Sequence, residues 1–256
     1  MKISVKMDGL DALQAKLRGL SEGKIKVAAV AALNDAAYLA SQETKKAIAQ
    51  AFDRPTPWVL GGVRYVKARK DKLESSVDFD KWGNKTNVTV GKVLNAQIFG
   101  GQRKYKRHEI ALQRAGILPA GMAIVPGLMA EKDQYGNMPG SQIVQIVSWF
   151  RAFGEQGYKA NSTDKTRTRL GKDKKNGVRG FQYFALHKRQ GKLAPGIYKR
   201  FNFSDGTAVW PVMYFVRIPT YRRRLDFYGI AEKAAIAEFN KAFPKYLDQL
   251  LKERGL

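Results

Sequence analysis

The sequence predicts an α+β protein: a long N-terminal helix and a C-terminal helix pack on a mainly antiparallel β-sheet, elaborated by a central irregular or helical insertion. Strand-like segments occur in runs and do not alternate with helices, and helical patterns occupy both ends of the chain. No repeat of fixed period is visible, which argues against a solenoid or a propeller. With 256 residues, 44% of them hydrophobic, the chain can bury a sizeable core.

Residues 1–100 are predicted to carry the N-terminal part of that core. Met1–Met7 alternates apolar and polar side chains, as a half-buried strand does, and the leucines from Leu10 to Leu20 recur with helical spacing. The segment Lys24–Phe52 is rich in alanine and lacks glycine and proline, so it predicts a long helix. Pro55 and Pro57 end this helix, because proline has no backbone N–H to donate.

Three short strands are predicted next, at Val63–Ala68, Ser76–Phe79 and Asn87–Gly91. The segments between them are polar and rich in turn formers, which favours an antiparallel meander.

Residues 101–180 are predicted to form a basic insertion with short helices and a mobile loop. A short helix around Ile110–Ala115 is followed by Gly116–Gly140, which we interpret as an irregular apolar loop or a buried extended arm. An amphipathic helix is predicted from Gly140 to Phe153. The segment Gly154–Asn176 has almost no large apolar side chains and is predicted to be disordered.

Residues 181–256 are predicted to complete the same core as residues 1–100. Aromatic and β-branched runs predict strands at Phe181–His187, Ile197–Phe203 and Ala208–Ile218. The segment Leu225–Arg254 has apolar residues at helical spacing and predicts a helix, kinked at Pro244.

The residue types that most enzymes use are scarce. The absence of cysteine excludes disulfides, thiolate nucleophiles and Cys-based zinc sites. Only two histidines occur: we interpret His108, with Glu109, as an exposed pair at a helix start, and His187 as a strand-end residue. Asp78 and Asp80 have a spacing that a divalent metal site in a nuclease could use, but this spacing is common by chance and further acids are scarce, so a solvated strand edge is the favoured interpretation.

Other signatures of small-molecule chemistry are also missing from the sequence. No glycine-rich phosphate-binding motif occurs, so we expect no nucleotide cofactor, no metal and no catalytic residue. The N-terminus lacks a secretory pattern and no segment approaches the roughly 20 apolar residues of a membrane span, so cytosolic synthesis without membrane contact is expected.

Positive charge is the main functional signal. The chain carries 46 Lys+Arg against 22 Asp+Glu, a net charge of +24, which favours a polyanionic partner. Three basic clusters are the candidate contacts: Arg103, Lys104, Lys106 and Arg107; Lys165, Arg167, Arg169, Lys172, Lys174 and Lys175; and Arg222, Arg223 and Arg224. Solvated surface, nonspecific contact with nucleic acid and contact with an acidic protein are the open interpretations of each cluster.

The N-terminal third also resembles a known family. A helix written like Ala32–Ile48, a turn like Arg54–Trp58 and a strand segment like Val66–Leu73 are similar to the minor tail proteins of the Z type of tailed phages, and to the related tail-completion proteins of the HK97 gene-ten type. The resemblance covers roughly residues 1–100, with the C-terminal strands and helix as a further match. It does not extend to residues 101–180.

The resemblance implies a structural virion protein at the neck or the head-proximal end of a tail, without catalytic residues. Its expected partners are further copies of itself in a ring, such as a hexamer, and neighbouring tail or connector proteins. A cationic lumen would suit a ring close to DNA, and the segment Lys165–Lys175 is the predicted mobile contact with DNA or with an acidic neighbouring subunit. The alternative function is nonspecific nucleic-acid binding, and a metal-dependent nuclease is the third.

Overall fold

A computed structural model describes residues 1–7, 22–79, 88–173, 177, 179–204 and 206–253. In this part of the chain the helices are α1 (Glu22–Ala51), α2 (Pro57–Gly61), α3 (Val90–Phe99), α4 (Arg107–Arg114), α5 (Gly140–Trp149), α6 (Asp164–Leu170) and α7 (Phe227–Lys252), with a 3₁₀ helix at Glu155–Ala160. The strands are β1 (Lys2–Lys6), β2 (Arg64–Val66), β3 (Glu74–Asp78), β4 (Gly101–Gln102), β5 (Met122–Pro126), β6 (Gln182–Leu186), β7 (Gly196–Phe203), β8 (Gly206–Arg217) and β9 (Thr220–Tyr221). These elements confirm the predicted α+β class.

The chain divides into two compact units. The first contains Met1–Gly101 and Tyr221–Leu256, and the second contains Gln102–Thr220. This division differs from the predicted one, in which residues 181–256 complete the N-terminal core as a whole. Only the end of that segment, from Tyr221 onward, belongs to the first unit.

The first unit has an antiparallel three-stranded sheet with the order β1-β3-β2. Ile3 lies opposite Val77 on one side of the central strand, and Tyr65 lies opposite Val77 on the other. The N-terminal strand therefore takes the place that the prediction gave to Asn87–Gly91. The residues of that segment from 88 onward form no strand, because the Thr89 side chain accepts from the backbone N–H of Lys92 and caps α3.

The two long helices of the first unit pack on each other, and both contact the sheet. Alanines on their facing sides are fully or almost fully buried, among them Ala36, Ala40, Ala231 and Ala235. Small side chains let the two backbones approach closely. Polar links tie α1 to its neighbours: the Asn34 side chain accepts from the backbone N–H of Ala68 at 2.7 Å. The leucine segment Leu10–Leu20 lies outside the described residues.

The second unit has an antiparallel four-stranded sheet with the order β5-β8-β7-β6. Its last three strands are those predicted from the aromatic runs. The fourth, β5, lies in the segment interpreted as an irregular loop or a buried extended arm, and it pairs with β8 through Ile124 opposite Phe215. The amphipathic helix α5 packs Ile146, Val147 and Trp149 into this unit's core.

Within the described ranges, no helix combines the length and the apolar character needed to cross a bilayer.

Candidate nucleic-acid interface

One member of the first basic cluster is already paired with a carboxylate inside the protein. Glu109, in the first turn of α4, is fully buried, and both of its oxygens accept from the Arg103 guanidinium, at 2.7 and 2.6 Å. The backbone N–H groups of Lys106 and Ile124 donate to the same carboxylate at 2.7 and 2.8 Å. Burial disfavours the charged carboxylate, but these four hydrogen bonds and the Arg103 charge hold the pKa of Glu109 below its ordinary value. Arg103 is therefore a structural residue.

The interpretation of His108 and Glu109 as an exposed pair is wrong. Glu109 is buried, as described above, and His108 is only partly exposed. Burial, reinforced by the nearby positive charges of Lys106 and Arg103, lowers the pKa of His108 to about 4. His108 is therefore neutral at pH 7 and adds nothing to the positive charge. The other histidine, His187, directly follows the end of β6, as predicted, and is exposed.

Three members of the second basic cluster, Lys165, Arg167 and Arg169, lie on helix α6 and not in the disordered loop that the composition predicted. Thr163 caps α6 by accepting from the backbone N–H of Thr166, and the Arg167 guanidinium holds the helix in place. That guanidinium donates to the backbone carbonyl of Trp149 and lies 5.6 Å from the Trp149 ring centre. Lys165, Arg169 and Lys172 are exposed. Lys174 and Lys175 lie outside the described residues.

The third cluster lies in the first unit, just before α7. Arg223 pairs with Asp226, the residue that caps α7. Arg224 donates from its side chain to the backbone carbonyl of Ala51 at 3.1 Å. Arg222 is exposed, and within the described ranges it lies near no carboxylate that pairs with it.

Neighbouring cations of one cluster therefore have different roles. Some of these cations, such as Arg103 and Arg167, make contacts inside the protein. Lys106 and Arg107 are exposed at the start of α4, and Lys106 also contributes its backbone N–H to the buried carboxylate. Apart from Lys106 beside the buried Glu109 and Arg224 on the Ala51 carbonyl, five exposed members have no ion-pair partner within the described part of the chain: Lys104, Lys165, Arg169, Lys172 and Arg222. We call these five residues the exposed cations, and they are the part of the predicted site that remains available to a polyanion.

The structure also brings together aromatic side chains that the sequence analysis did not single out. Phe181, Phe201, Phe203 and Trp210, which we call the aromatic row, lie at the hairpin end of the second unit's sheet. The Trp210 ring lies 4.6 Å from that of Phe201, and Arg179 lies over Phe203 at 5.1 Å. The signal was the two-residue spacing of Phe201 and Phe203, which puts both rings on one face of a strand.

The acidic residues considered for metal binding are placed differently from the prediction. Asp78 is 8% exposed on the central strand β3, so it does not form a solvated edge, and Asp80 lies outside the described residues. Among the described residues, no group of three or more His, Cys, Asp or Glu side chains is positioned to hold a metal ion.

Comparison with protein-family models, with curated proteins and with solved structures finds no match to this chain.

Proposed function

We propose that this protein is a non-enzymatic component of a tailed-phage virion. In this proposal it is a minor tail or tail-completion protein that assembles into a ring of identical copies near the DNA path, at the neck or the head-proximal end of the tail. Further partners are neighbouring tail or connector proteins. The likeness of residues 32–48, 54–58 and 66–73 to that family supports the proposal.

An exposed apolar surface on the first unit is the observation that carries the proposal. Phe99 at the end of α3 is 58% exposed, and its ring lies 6.1 Å from that of Tyr228. Tyr228 in turn lines a groove of about 410 Å³ beside the outer strand β1, together with Ile3, Val5 and Ile236, of which Ile236 is 50% exposed. Apolar patches of this kind mark contacts between proteins, and we assign this one to a neighbouring copy.

The double change Phe99→Ser and Ile236→Ser is expected to convert the ring into monomers, because it removes two apolar side chains from the proposed contact. Native mass spectrometry and negative-stain images of the full chain measure the copy number. Tyr38→Ser is the matched control, since Tyr38 is 51% exposed on α1 and does not line the groove. A wild-type protein that stays monomeric at high concentration contradicts the proposal.

The exposed cations are proposed to face DNA in the assembled ring. Changing all five to glutamine is expected to flatten the salt dependence of duplex DNA binding, by about 0.9 in the slope of log K against log[salt] for each phosphate that the variant no longer neutralises. The control changes five exposed lysines outside the clusters and removes the same total charge: Lys70, Lys132, Lys188, Lys192 and Lys233. Equal effects in both variants would show that only net charge matters.

The exposed cations also favour the second candidate, a nonspecific nucleic-acid-binding protein that works without assembling. Salt-sensitive binding of a monomer, combined with absence from virions, supports that candidate over the ring.

A further inference from the structure

The hairpin of β7 and β8 in the second unit presents exposed rings on one face. Lys199 pairs with Trp210, and Phe201 pairs with Ala208 two residues further along. Because directly opposed residues share a face and side chains alternate along a strand, Phe201, Phe203 and Trp210 all lie on the same side. Phe201 is almost buried, whereas Trp210 and Phe203 are 41% and 38% exposed. Two large aromatic surfaces therefore remain open to solvent, and the nearly buried Phe201 ring packs beside that of Trp210.

Cations surround the aromatic row. Arg179 stacks on Phe203 and also pairs with Asp173 at 2.7 Å. Asp173 accepts from the backbone N–H of Gly180 at 2.8 Å, and an added Cβ on Gly180 would meet the carbonyl carbon of Lys172 at 2.6 Å. The backbone of Lys172, one of the exposed cations, and of Asp173 is therefore fixed beside Gly180, which is next in sequence to Arg179 and two residues before β6. Lys199 lies on the same face, 4.6 Å from the Phe181 ring centre, and pairs with Glu131 at 3.8 Å.

We propose that the aromatic row and its cations form a binding surface for single-stranded nucleic acid. Bases stack on Trp210 and Phe203, and phosphates contact Lys172 and Arg179. Sites that bind single strands without sequence preference combine these two features, aromatic side chains that meet base faces and cations that follow the backbone. A duplex hides its base faces within the stack, so exposed rings favour unpaired bases. An acidic peptide would use the cations and leave the rings unoccupied.

The inference adds a ligand class to the DNA contact of the proposed function, and it does not depend on the assembly of identical copies into a ring. Assembly is measured by mass and single-strand binding by titration, so either idea can fail while the other stands. The Arg179–Phe203 and Phe201–Trp210 contacts, with the Lys172 backbone beside Gly180 in the same compact unit, carry the inference.

The test titrates the full chain with a fluorescently labelled oligo-dT and with a duplex of equal length. Trp210→Leu keeps apolar cover over Phe201 but removes the large stacking surface. Phe203→Leu likewise replaces an exposed aromatic ring by a smaller apolar side chain. Each change is expected to weaken oligo-dT binding about fivefold or more, which corresponds to the lower end of the 1–3 kcal/mol per stacked base. Duplex binding should change less than twofold. Trp58→Leu is the matched control, because Trp58 is 40% exposed in the first unit.

A charge variant tests the phosphate contact separately. Lys172→Gln is expected to lower the salt slope of oligo-dT binding by about 0.7, the value for one phosphate contact on a single strand. Lys233→Gln, an exposed lysine of α7, serves as control. The proposal is overturned if Trp210→Leu and Phe203→Leu fold normally yet bind oligo-dT like the wild type. It is also overturned if they weaken single-strand and duplex binding equally, or if polyglutamate displaces oligo-dT as well as unlabelled oligo-dT does.

Discussion

Replacing Phe227 with alanine is expected to destabilise the first unit by about 3–5 kcal/mol. Phe227 is the first residue of α7 and is fully buried. Its ring lies 4.5 Å from that of Phe79 and 5.0 Å from that of Tyr228, so it joins the C-terminal helix to the sheet side of the core. Alanine removes this contact and leaves a cavity that a helix and a sheet cannot close by small shifts. Urea unfolding followed by circular dichroism measures the decrease in stability.

The control for this change is Tyr38→Ala in the same unit. Tyr38 also makes an aromatic contact, 5.8 Å from the Tyr65 ring, but it is 51% exposed, so a cost of about 1 kcal/mol or less is expected. If the two variants are destabilised equally, Phe227 does not hold the core as described.

Elements with a strong local pattern could be predicted from the sequence. The alanine-rich run predicted α1 nearly to its ends, the alternating run predicted β1, and the aromatic and β-branched runs predicted β6–β8. The failure at Asn87–Gly91 has a local cause. Thr89 is a β-branched residue and fits a strand, but its hydroxyl also caps a helix, and the apolar residues that follow it have helical spacing.

Other failures arise from contacts that are distant in sequence. The segment Gly154–Asn176 has the composition of a disordered loop, yet α6 forms within it because Arg167 reaches Trp149, eighteen residues earlier. Likewise, β5 has no alternating pattern of its own, and its pairing with β8 spans about ninety residues. That pairing is why the strands after Gly180 belong to the second unit. Composition and periodicity in a short window contain no information about either contact.

The candidate site shows the same limit. The sequence identifies every cation of the three clusters, but it does not show which of them are already paired. Arg103 and Lys104 are adjacent, yet the first is held by a buried carboxylate and the second is exposed. Their difference comes from Glu109, six residues after Arg103, whose position in the first turn of α4 turns it inward. Charge counting therefore overstates the surface that is available to a polyanion.

The buried carboxylate provides the second large effect. Glu109→Gln is expected to cost the second unit about 3–5 kcal/mol, as removal of one partner from a buried ion pair does. Glutamine keeps the shape but has one acceptor oxygen, so the Arg103 guanidinium loses its counter-charge and one of the backbone N–H groups of Lys106 and Ile124 loses its acceptor. Urea unfolding at pH 7 to 8, where His108 is neutral, isolates this effect.

The stabilisation by Glu109 should also depend on pH in a defined direction. The folded protein holds the pKa of Glu109 below its ordinary value of 4.5, so the carboxylate contributes its full stability above that pH and loses it as the pH falls through the folded pKa. The difference between the wild type and Glu109→Gln is therefore expected to shrink in acid.

The control variant is Asp71→Asn, which breaks the exposed pair with Arg69 and should cost about 1 kcal/mol or less. The double variant Arg103→Gln with Glu109→Gln should be destabilised by less than the sum of the two single changes, because it leaves no unpaired charge inside. Strict additivity would mean that the two side chains do not act as a pair.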